Sequence, residues 1–84
     1  MDGPAYTQHA LYVLEERGIR KDWVERVIRN PTRVVPDPVD PELVHFLGRI
    51  IEREGRVLRV IYNSCTNPNR VIAAYFDRTM QGKL

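Results

Sequence analysis

The chain has 84 residues, 43% apolar and 29% charged, with six prolines. This composition specifies one small globular domain burying roughly 60 to 65% of the surface its unfolded chain exposes, and excludes a disordered chain. The net charge of +2 is uneven, since residues 1–42 carry six basic and eight acidic side chains whereas residues 43–84 carry seven basic and three acidic.

TQHALYVLEER, from Thr7 to Arg17, is predicted as a helix with Ala10, Val13 and Leu14 on its apolar stripe. Thr7 suits the N-cap, Gly18 the left-handed position after the last turn, and Ile19 the fold-back contact. A second helix is expected from about Lys21 to Arg29, with Val24, Val27 and Ile28 inward and Asp22 near its positive end; Asn30-Pro31 stops it. The two or three residues between them make the helices a tight pair.

After Pro31 the period becomes strand-like. Thr32 to Val35 reads as a short strand, and PDPVDPE as an acidic loop serving as spacer or contact arm. Leu43 to Glu52 is the first long strand, Glu54-Gly55 a hairpin turn, and Val57 to Asn63 the returning strand. SCTNPNR is a polar loop before a last strand from Val71 to Phe76. The expected fold class is α+β: two amino-terminal helices on one face of a small antiparallel sheet, in a single domain over residues 1–84.

Strand side chains alternate between faces. Val44, Phe46, Gly48 and Ile50, then Leu58, Val60 and Tyr62, then Ile72, Ala74 and Phe76, form the more apolar sets that pack under the helices. The opposite face then displays His45, Arg49, Arg59, Tyr75 and Asp77. Arg59 is flanked by valine and isoleucine in a central strand, where an unpaired charge costs several kcal/mol, so it needs a partner. That partner is a carboxylate, with Asp77 the candidate, backbone carbonyls, or a phosphate. Eleven of the thirteen cations are arginine, whose planar fork suits a phosphate; surface solubility explains the same bias.

No run of about 18 apolar residues is present to span a bilayer, and the opening MDGPAYTQH lacks a signal peptide's layout. The expected location is the cytoplasm, without a membrane partner. Cys65 is alone and cannot form an internal disulfide, and the two histidines form no zinc-like spacing, so neither a metal nor another cofactor is expected.

The run HALYVLEERGI, with DWVERVIRNP and LRVIYN further on, resembles the small bacterial domain of unknown function 4258 over about Thr7 to Phe76. That family looks like the RelE and BrnT toxins, with helices on one side of a small antiparallel sheet. The resemblance implies a toxin of a toxin-antitoxin system: a metal-independent endoribonuclease acting on messenger RNA, often on the ribosome, and held by an antitoxin. Such cleavage needs an aligned 2′-hydroxyl, a proton acceptor, a proton donor and cations around the developing charge. His9, Arg59 and Tyr75 are the catalytic candidates. His9 matches the family's histidine and has a side chain suited to proton transfer, although a helix-start imidazole also serves as a cap. Arg17 and Arg49 are the RNA-binding candidates, with the helix dipole as the alternative role of Arg17. The scarcity of lysine means that an arginine-based site replaces a lysine-rich one.

A non-catalytic protein-binding module and an inactive relative of the toxins fit the same residues. Trp23 is expected at the core edge or as a site for a partner's apolar side chain. The first long strand or the short one after Pro31 is expected at a sheet edge, open to a second copy, giving a homodimer, or to an antitoxin strand.

Overall fold

A computed structural model describes residues 4–84; the first three residues of the opening stretch lie outside them. The elements are β1 (Ala5–Tyr6), α1 (Gln8–Arg17), α2 (Lys21–Arg29), β2 (Arg33–Pro36), β3 (Leu43–Ile50), β4 (Arg56–Asn63) and β5 (Arg70–Phe76). Short 3₁₀ turns cover Ile51–Arg53 and Arg78–Met80.

The ends of α1 follow from its sequence. The Thr7 side chain accepts from the Ala10 N–H at 3.0 Å. At the other end Gly18 adopts φ 65° and the Ile19 N–H returns to the Leu14 carbonyl at 2.9 Å, burying Ile19. Nothing lies within 4 Å of the place a Gly18 Cβ would occupy, so Gly18→Ala carries a backbone penalty alone. A loss of about 1 to 2 kcal/mol is expected from urea unfolding.

The sheet runs β1-β5-β4-β3-β2. Strands β2 to β5 are antiparallel to their neighbours, as expected, but β1 pairs in parallel with the start of β5, so the sheet is mixed. A two-residue strand leaves no readable alternation in sequence. Both helices lie on one face, where Ala10, Leu14, Trp23, Val24 and Val27 meet Ile50, Leu58, Val60, Val71 and Ala74 in one core. Gly48 lets α2 approach: a Cβ there would lie 3.2 Å from Val27 Cγ2.

Several boundaries differ from expectation. β3 ends at Ile50, and residues 51–55 form the connection through a 3₁₀ turn followed by Glu54 and Gly55 at φ 62° and 75°. The link is therefore longer than a Glu54-Gly55 hairpin turn. Val71, which strict alternation with Ile72, Ala74 and Phe76 would put on the open face, is fully buried in the helix-side core. A β-bulge explains this: Ile61 pairs with Ala73 but Tyr62 with Val71, so the extra residue Ile72 shifts the parity of β5.

β2 is an edge strand, while β3 is interior. The Asp37 N–H donates to Leu43, so by alternation Arg33 and Val35 also face β3, and the outer edge presents one donor, Val34, because Pro36 has none. At the opposite edge, the Thr7 hydroxyl donates to the Ile72 carbonyl and Arg17 to the Ala74 carbonyl at 3.0 Å. Among the described residues no helix is long and apolar enough to cross a membrane.

Candidate functional site on the open face of the sheet

The strand register places Arg33, Leu47, Arg59 and Tyr75 in one row across β2, β3, β4 and β5. His45 stands in the next row on β3, and Arg49 opposite Val57 in the row on the other side. These side chains share the face away from the helices.

Arg59 has the partner that its position requires. Its Nε donates to Asp77 Oδ2 at 2.8 Å, and a terminal nitrogen lies 2.7 Å from His45 Nδ1. Arginine offers no lone pair, so Nδ1 must accept, which places the imidazole proton on Nε2. Nε2 then donates to Asp37 Oδ1 at 2.7 Å. Asp77 in turn accepts from the Thr79 N–H and hydroxyl, capping the 3₁₀ turn that follows β5. A continuous line of polar groups therefore joins the acidic loop to the carboxyl-terminal turn through β3 and β4. The Arg59 side chain is 15% exposed and that of Asp77 9%, so neither charge faces bulk water.

Hydrogen bonds hold both carboxylates below the ordinary range. For Asp77 the Thr79 hydroxyl is the main cause, burial opposes it, and Arg59 adds to the lowering. For Asp37 the Asp40 N–H contributes most, followed by His45 and the Val39 N–H. Asp37 thus closes the acidic loop, read above as a spacer or contact arm, on itself and fastens it to β3.

Arg17 and Tyr75 meet at the free edge of β5. From the end of α1, Arg17 reaches around to the Ala74 carbonyl, with its guanidinium carbon 6.0 Å from the Tyr75 ring centre. Tyr75 faces Arg59 across the strand pair. Of the five candidates, Arg17, Arg59 and Tyr75 come together and Arg49 shares their face. His9 does not join them: it is exposed at the start of α1, on the helical layer, with the sheet between it and Arg59.

The imidazole in the network is His45, one of the residues assigned above to this face. Asp37 was missed, since nothing in PDPVDPE singles out which carboxylate folds back onto a strand. Among the described residues, no group of three His, Cys, Asp or Glu side chains is placed to hold a metal.

The chain matches the family model described as a domain of unknown function (DUF4258) over residues 6–76, and it belongs to that family. Comparison with curated proteins and with solved structures gave no match.

Proposed function

We propose that this chain is a RelE-like toxin domain that holds messenger RNA against the open face of its sheet and cleaves it without a metal. The supporting observation is the meeting of Arg17, Tyr75 and Arg59 on one side of the sheet although Arg17 starts from the helical layer on the other. In this reading Arg17 and the exposed Arg49 contact phosphate, and Tyr75 stacks on a base or gives a proton to the leaving oxygen. Arg59, already neutralised by Asp77, positions Tyr75 and the strand around it. The cell-level partners of this reading are the ribosome and a short antitoxin, in the cytoplasm.

A second reading, a non-catalytic binding module descended from the same scaffold, draws support from the proton inventory. Both nitrogens of His45 are committed to Arg59 and Asp37, and His9 stands apart, so no imidazole lone pair is free on the open face.

Incubation of the purified chain with a messenger transcript in EDTA separates the two. The toxin reading predicts cleavage that is lost in Tyr75→Ala and Arg17→Ala while their melting temperatures stay within a few degrees of the native chain. Binding without cleavage supports the second reading. Neither binding nor cleavage, with or without ribosomes, removes the RNA reading.

A further inference from the structure

Leu47 and Val57 lie on the open face, yet they are 0% and 1% exposed. The helices, on the other face, cannot bury them. The chain beyond the Arg78–Met80 turn crosses this face: Arg33 donates to the Lys83 carbonyl at 3.1 Å and Arg49 to the Leu84 carbonyl. The Asp77–Thr79 contacts start this return, and the Lys83 N–H closes a further turn on the Met80 carbonyl at 3.0 Å.

Arg33 and Arg49 differ from Arg59 in what they hold. Among the described residues no Asp or Glu side chain pairs with either, and both residues are exposed. Each gives a guanidinium N–H to the main-chain oxygen of one of two consecutive residues. Two adjacent oxygens facing two guanidinium groups are also what a phosphodiester presents with its non-bridging oxygens, and the phosphate adds negative charge that the Lys83 peptide carbonyl lacks.

We infer that Arg33 and Arg49 form a phosphate subsite, and that residues 81–84 are a displaceable cover whose main-chain oxygens occupy it until a polyanion takes their place. The subsite rests on the reading of this face as an RNA surface, and supplies that reading with a second phosphate contact on the side of the sheet away from Tyr75. Displacing the cover exchanges the bond from Arg33 to the Lys83 carbonyl, in which only the donor is charged, for one in which both partners are ionised.

The test compares the full chain with one lacking residues 81–84, using fluorescent oligouridylate and, separately, inorganic polyphosphate, over a salt series. Removing the cover is expected to tighten binding several-fold at low salt. It should also steepen the slope of log K against log salt for oligouridylate by about 0.7, the value for one further phosphate held on a single strand. Adding Arg33→Ala and Arg49→Ala to the shortened chain should return the slope to its starting value.

An unchanged slope in a folded shortened chain overturns the subsite, as does failure of both chains to bind either probe. Binding of polyphosphate but not oligouridylate, with the expected slope change, keeps the subsite and removes the RNA reading. Binding of oligouridylate that ignores the cover and both arginines does the reverse. If circular dichroism shows the shortened chain unfolded, hydrogen exchange on the full chain decides. The Lys83 amide must exchange faster with polyphosphate bound, and equal or slower exchange overturns the inference.

Discussion

Replacing Asp77 by alanine is expected to lower the unfolding free energy by about 3 kcal/mol, because it leaves the largely enclosed Arg59 without its counter-charge. The effect is read from urea midpoints at unchanged slope. Two further losses accompany it, since the Thr79 N–H and hydroxyl lose their shared acceptor. Removing both charges is milder: Arg59→Met combined with Asp77→Ala should cost less than the two single changes added together, as expected for partners in direct contact. The same line of groups sets the acid limit. Asp37 and Asp77 are held below the usual carboxylate range, so the unfolded chain takes up protons first as pH falls. Their contribution is complete above the unfolded value of about 3.9 and is lost as pH drops through the lower folded values. Melting temperature against pH should fall in that acid window and fall less steeply in Asp77→Asn. An equally steep fall in that variant would place the acid sensitivity elsewhere.

The parts of this fold that were legible in sequence are those fixed by local chemistry. Thr7, Gly18 and Asn30-Pro31 mark helix ends because caps and breakers act within a few residues. Arg59 announced a partner because a cation in an apolar central strand needs one, and Asp77 is that partner. What stayed hidden depends on distance or on one inserted residue. The bulge at Ile61 and Tyr62 moves Val71 into the core, and no local pattern marks an insertion into a ladder. The parallel β1 is held by Asn69 and Val71, more than sixty positions away. The return of residues 81–84 is equally invisible, because nothing in the sequence around Arg33 or Arg49 marks the distant main-chain oxygens they bind.

Trp23→Ala is the second large loss expected, about 3 to 5 kcal/mol, a size typical of removing a large aromatic from a packed interior. Trp23 had two readings, core edge or docking point for a partner, and it is 6% exposed. Its ring meets Phe76 edge-on with centroids 6.4 Å apart, and Arg53 stacks 5.8 Å from its centre. A side chain so enclosed has little surface left for a partner. Arg53 and Arg56 also lie 5.1 and 5.2 Å from the centre of Phe76, so Trp23 anchors α2 to the end of β5 through an aromatic pair roofed by guanidinium groups. A domain of this size has roughly 0.05 to 0.15 kcal/mol of stability per residue, so alanine at this position consumes much of the total and loosens the strand that carries Tyr75 and leads to Asp77. Trp23→Phe keeps the ring contact and should cost markedly less. Urea unfolding of both variants settles the role: near-native stability in Trp23→Ala would return the residue to the surface as a docking point, and a large loss eased by phenylalanine fixes it as the joint between the helical layer and the working face.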